Sequence, residues 1–150
     1  MLILANHQVT FNEIPDTVSL SLNIFKRILK ESDFKFNNNE NFPRELLTKE
    51  LLHALITDNP EIECVIFIGG DHCPGSLNTL AYYIKSIFKL KVALFSEYDV
   101  MPLINPWVFD YLKISDYLIN PESQPLKTNN PKLFKICHES GVRFEGITNN

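Results

Sequence analysis

The chain has 150 residues, 45% of them hydrophobic and 21% charged, and carries a net charge of −4. On length it is one domain, able to bury about 70% of its unfolded surface in a globular core. The acidic balance argues against a nucleic-acid partner, because phosphate contacts need clustered Lys and Arg. No apolar run approaches the length of a membrane-spanning helix.

Met1 to Ala5 is apolar but lacks the basic flank and the length of a signal peptide. His7 to Ile14 alternates polar and apolar positions, Pro15-Asp16 marks a turn, and Thr17 to Ile24 alternates again. Val18, Leu20, Leu22 and Ile24 then share one face. Two such runs joined at a Pro-Asp turn predict an antiparallel or edge pair. Phe25 to Lys30 reads as a short helix or a loop, and residues 33–43, rich in asparagine, as a polar surface loop. Thr48 is placed to cap a helix whose apolar stripe is Leu51, Leu52, Leu55 and Ile56, ending before Asp58-Asn59-Pro60.

Cys64-Val65-Ile66-Phe67-Ile68-Gly69-Gly70-Asp71 is the stretch around which the rest is organised. An unbroken apolar run of this length suits a strand buried on both faces. The two glycines permit a sharp turn and the close approach of a ligand. In α/β folds, ligands gather beyond the carboxyl ends of parallel strands, so Asp71 stands where an amine, hydroxyl or metal would be met. Read alone, Gly-Gly-Asp is equally a plain turn after a strand.

A helix over Ser76 to Lys89 follows, with Leu77, Leu80, Ile84 and Ile87 inward. Lys91 to Ser96 reads as a second buried strand, and Pro102 to Phe109, with the lone Trp107, as a short helix. Asp110 to Ile119 alternates loosely. Pro131 to Ser140 reads as a helix closed by Gly141, and Val142 to Ile147 as a last strand. About six strands linked by helices predict an α/β fold, an open or partial (β/α) barrel of mostly parallel strands in a single domain spanning 1–150, since a closed barrel needs eight.

Three cysteines, Cys64, Cys73 and Cys137, make no disulfide framework and fit a reducing cytoplasm. Cys64 reads as a core thiol. Cys73, with Asp71 and His72, lies in a loop on the ligand side; a metal site there would need a further group such as His7 or Glu97, and a turn before the helix is the other reading. Cys137 and His138 fall late in the predicted helix, where His suits the C-terminal dipole. Glu13, Asp16 and Asp71 serve either as an acid–base set or as solvated turn residues. Trp107 and the phenylalanines read as core, since no basic residues interleave with them. No Gly-x-Ser-x-Gly, phosphate loop or His-Glu-x-x-His occurs.

Five stretches in order resemble the activating proteins of anaerobic ribonucleotide reductases, of the radical S-adenosylmethionine group. They are Val9-Thr10-Phe11-Asn12-Glu13-Ile14-Pro15-Asp16, Val18 to Ile24, Phe67-Ile68-Gly69-Gly70-Asp71, Phe109 to Ile114 with Tyr117, and Leu126-Lys127-Thr128-Asn129-Asn130. The resemblance implies a partial barrel holding a [4Fe–4S] cluster and S-adenosylmethionine at its open end. It assigns Gly69, Gly70 and Asp71 to the amino group of the methionine moiety, and Ser96 and Lys113 to the ribose or carboxylate. It also implies a glycyl-radical reductase as partner.

The chain departs from the family at its reaction centre. The family's Cys-x3-Cys-x2-Cys follows the strand matched by Val18 to Ile24, and the corresponding positions here are about Arg27, Glu31 and Phe34. A [4Fe–4S] cluster is held by thiolates, and none is present before Cys64. The expectation is therefore a radical-S-adenosylmethionine-like protein without the cluster, acting by binding a nucleotide-like ligand or a partner rather than by catalysis. One alternative is an activase with an altered or externally supplied cluster. Another is a metal-dependent enzyme using Asp71, His72 and Cys73.

Overall fold

The computed structural model describes residues 1–25, 45–96, 102–115 and 131–147. β1 (Ile3–Phe11) and β2 (Val18–Ile24) form an antiparallel hairpin in which His7 faces Leu22 and Phe11 faces Val18. At its turn the Asn12 amide donates to the Thr17 carbonyl at 3.1 Å, and the Asn12 side chain accepts from the Asp16 amide at 2.8 Å. Asn12 and Asp16 take positive φ, 72° and 59°, which short polar side chains tolerate better than most. β3 (Glu45–Leu46) pairs with the start of β1. α1 (Lys49–Thr57) begins where the Thr48 hydroxyl accepts from the Leu51 amide at 3.1 Å.

β4 (Cys64–Ile68) runs parallel to β2 on one side and to β5 (Lys91–Phe95) on the other. Between β4 and β5 lie α2 (Pro74–Tyr83) and a π-helical turn, Ile84–Phe88. A 3₁₀ turn (Pro106–Val108) precedes β6 (Tyr111–Ser115), parallel to β5. β7 (Pro131–Cys137) and β8 (Arg143–Gly146) follow as antiparallel additions.

The described residues thus form one eight-stranded mixed sheet in the order β3-β1-β2-β4-β5-β6-β7-β8. This corrects the expected partial barrel. The four parallel strands β2, β4, β5 and β6 do lie side by side, but antiparallel strands extend them at both flanks. Among the described residues there are only two α-helices, so the sheet is not surrounded by them.

The expected helix over Pro131 to Ser140 is the main source of the difference. Leu133 and Ile136 are three apart, a helical spacing, but in β7 they point to opposite faces and both are buried. That is stable because both sheet faces are covered there. Pro131 opens the strand, where its missing N–H is tolerated. Gly141 (φ 104°) and Ser140 (φ 58°) then turn the chain into β8 rather than ending a helix. His138 accordingly serves no helix dipole; its Nε2 lies 2.8 Å from the Pro106 carbonyl, and its ring stacks on Trp107. Trp107 is 54% exposed, not core. Ile87, expected inward, is also exposed, because the i→i+5 bond from the Lys89 amide to the Ile84 carbonyl (3.1 Å) shifts the last turn out of the 3.6-residue phase. The loop expected at 33–43 and residues 116–119 of the loosely alternating stretch lie outside the described residues.

One face of the sheet, carrying Leu20, Leu22, Val65, Phe67, Val92, Leu94 and Leu112, packs on Leu52 and Ile56 of α1 and on Leu77, Leu80 and Ala81 of α2. The other face carries Cys64, Ile66, Ala93, Phe95 and Leu133, with Ile14 packed among them. Asp110 ties three strands together at the amino end of β6. Its backbone exchanges bonds with the Val92 carbonyl (2.7 Å) and the Ile136 amide (2.8 Å), while its carboxylate accepts from the Val92 amide (2.9 Å) and from Lys85 (2.6 Å). Asp110→Ala strands the Val92 amide and the Lys85 ammonium, so it should cost about 2–4 kcal/mol, and Lys85→Met less, near 1 kcal/mol. Urea unfolding of the three proteins measures this; an unchanged midpoint for Asp110→Ala contradicts the role given to that carboxylate.

Candidate functional site

β4 ends in a turn that only glycine makes without strain. Gly69 and Gly70 both take positive φ, 86° and 95°. The Gly69 amide donates to the Phe95 carbonyl at 2.9 Å, which keeps the turn beside the end of β5. A Cβ on Gly70 would meet Leu2, Ile24 and Leu77 side chains at 3.4–3.6 Å, so the second glycine is also where the sheet and α2 approach. The Cys73 amide closes the turn onto the Gly70 carbonyl at 3.0 Å, and α2 starts at once, with Pro74 in its first turn.

This turn sets Asp71 over β5. Its Oδ2 accepts from the Ser96 hydroxyl at 2.6 Å, and the Ser96 amide donates to the Lys113 carbonyl at 2.9 Å. The Lys113 ammonium lies 4.8 Å from the centre of the Phe95 ring. Gly69, Gly70, Asp71 and Ser96 thus sit together at the carboxyl ends of β4 and β5, and Lys113, within β6, joins them through its carbonyl and the Ser96 amide. The second carboxylate oxygen of Asp71 is buried and has no hydrogen-bond partner among the described residues. A desolvated acceptor of this kind costs free energy until a donor meets it.

His72 was weighed only as a metal ligand, yet its Nδ1 is likewise buried without a partner among the described residues. Burial holds its pKa below the ordinary value, with the Asp71 carboxylate opposing and the Met1 ammonium reinforcing the shift. The ring is neutral at pH 7 and presents either a donor or an acceptor. Nothing in the sequence marked this atom, because its burial comes from the turn itself. Cys73 points elsewhere: its sulfur lies 3.4 Å from the Met1 ammonium and donates to the Met1 carbonyl at 3.6 Å.

The three thiols do not converge on this rim. Cys64 is buried at the opposite end of β4, and Cys137 ends β7 with its thiol 3.4 Å from Glu145. Among the described residues no three His, Cys, Asp or Glu side chains gather as a metal would require. Glu97, Arg27, Glu31 and Phe34 lie outside the described residues; His7 is exposed on β1. The thiols do not fit a [4Fe–4S] cluster, which takes grouped thiolates, whereas the unpaired Asp71 oxygen is an acceptor that lacks a donor among the described residues.

A separate polar cleft of about 380 Å³ opens at the other end of the sheet, between Lys91, Asp110, Lys135, Arg143 and Glu145. It was invisible in the sequence because β7 and β8 build it, and the first of these reads as a helix. Among the described residues no helix is long and apolar enough to cross a membrane. Comparison with protein-family models, with curated proteins and with solved structures found no match.

Burial pushes the Cys64 thiol up to about 12 against the opposing Ser19 hydroxyl, and burial also raises Tyr111. Both are acids that the unfolded chain ionises first. Stability should therefore be complete below about pH 9 and fall as the pH rises above it. Iodoacetamide near pH 8 should modify Cys73 and Cys137, while Cys64 reacts only after unfolding. Peptide mass spectrometry reads this directly, and fast native labelling of Cys64 would contradict its placement.

Proposed function

We propose that this chain is a binding protein related to the radical-S-adenosylmethionine activases, and that it takes a nucleotide-like ligand carrying an ammonium group, of which S-adenosylmethionine is the type. The observation that carries this reading is the half-satisfied Asp71 carboxylate after the Gly69-Gly70 turn. Ser96 fills one oxygen, and the other is buried and unpaired. An ammonium donor would complete the set, and the charge assistance makes that bond stronger than a neutral one. Lys113, on the next strand but one, supplies a cation for a carboxylate or phosphate.

The proposal is for binding, not radical chemistry, because Arg27 and Phe34 stand near the positions where the resemblance calls for thiolates. Iron coordination would otherwise chelate the ligand's amine and carboxylate, so affinity here rests on Asp71 and its neighbours and is weak. A glycyl-radical reductase remains the partner that the resemblance suggests.

Calorimetric titration with S-adenosylmethionine, S-adenosylhomocysteine and methylthioadenosine tests the reading. The first two carry the ammonium and should bind; the third lacks it and should bind less well. Asp71→Asn should weaken the first two by roughly tenfold or more and leave the unfolding midpoint nearly unchanged. Equal binding by both proteins, or none by either, removes the ligand role of the turn. Anaerobic incubation with iron and sulfide should leave the protein colourless; a stoichiometric cluster would restore the activase reading.

A further inference from the structure

The two edges of the sheet are built differently. β8 is short and carries Arg143 and Glu145, charges that discourage strand pairing. β1 is nine residues long, but β3 covers only Ile3 and Leu4. From Asn6 to Phe11 no described strand lies on its outer side, and His7 is the only titratable residue. Val9 and Phe11 on this edge are 43% and 66% exposed.

The direction of the free groups follows from the hairpin. The Asn12 amide bonds to Thr17, and the register pairs Thr10 with Ser19 and Gln8 with Ser21. Bonded pairs alternate in an antiparallel ladder, so Gln8 and Thr10 are tied to β2 while His7, Val9 and Phe11 turn their N–H and C=O groups outward. The same three side chains share one sheet face.

We propose that this edge pairs with the same edge of a second copy, antiparallel about a two-fold axis through Val9, joining two sheets into one. In that register Val9 faces Val9 of the other copy and His7 faces Phe11, twice by symmetry. Three outward-facing residues from each chain complete one ladder, and both exposed apolar side chains gain a cross-strand neighbour. Charge favours this occupant over the β8 edge, which carries Arg143 and Glu145: here no two like charges meet, and His7 lies against an aromatic ring. Asn12 leaves the strand after Phe11, so the incoming strand stops short of β3. This inference is independent of the ligand proposal.

Sedimentation equilibrium of the full chain tests it. The expected species has twice the 17.3 kDa chain mass. Val9→Lys sets two ammonium groups on the two-fold axis, and Val9→Pro removes the central donor from each copy while leaving the β1–β2 bonds in place. Each should raise the dissociation constant by roughly tenfold or more, with circular dichroism retained and the unfolding midpoint lowered only by the lost association. A monomeric parent protein at high concentration overturns the proposal, as does a dimer that folded Val9→Lys and Val9→Pro leave intact. A monomer that captures a foreign extended peptide at this edge also overturns it.

Discussion

The constraint from which the rest follows is that β4 is hydrogen-bonded on both sides and buried on both faces. Cys64 to Phe67 are fully buried, with β2 and β5 in parallel register along the whole strand. Such a strand can carry no polar side chain without a partner, and it must release its chain at an end where backbone groups become free. The release occurs at Gly69. Because β2, β5 and β6 run the same way, their ends collect at the same rim, and with the Gly69-Gly70 turn this brings Asp71 beside Ser96, whose amide bonds to the Lys113 carbonyl. The opposite rim is secured by Asp110, which ties β5, β6 and β7 and neutralises Lys85.

The rim holds one polar group satisfied and one open. Ser96 fixes the orientation of the Asp71 carboxylate, which is what a preorganised acceptor requires. The second oxygen is removed from water without a protein donor among the described residues. Folding tolerates that cost where a ligand recovers it.

The two central strands, β4 and β5, were legible because they are nearly unbroken apolar runs, and α1 because Thr48 and the Leu51, Leu52, Leu55, Ile56 stripe agree. The flanks were not. Leu133 and Ile136 suit either period when both sheet faces are covered, and no local residue decides between them. Ile87 was misplaced because a π turn leaves no mark in a pattern read at 3.6 residues per turn. Asp71 was readable as an acid at a strand end, while Ser96 and Lys113 came only from the family resemblance; the unpaired Asp71 oxygen and the buried His72 nitrogen depend on the turn's three-dimensional path. The cleft beside Arg143 had no signal once β7 was read as a helix.

The central claim is that the carboxyl-end rim is where this chain meets its ligand. Amide chemical-shift mapping during titration with S-adenosylmethionine tests it most directly, because it reports location as well as binding. The account predicts shifts clustered on Gly69, Gly70, Asp71, Ser96 and Lys113, with Lys91, Arg143 and Glu145 unmoved. Shifts confined to the opposite cleft, or an unchanged spectrum at saturating ligand, would contradict it.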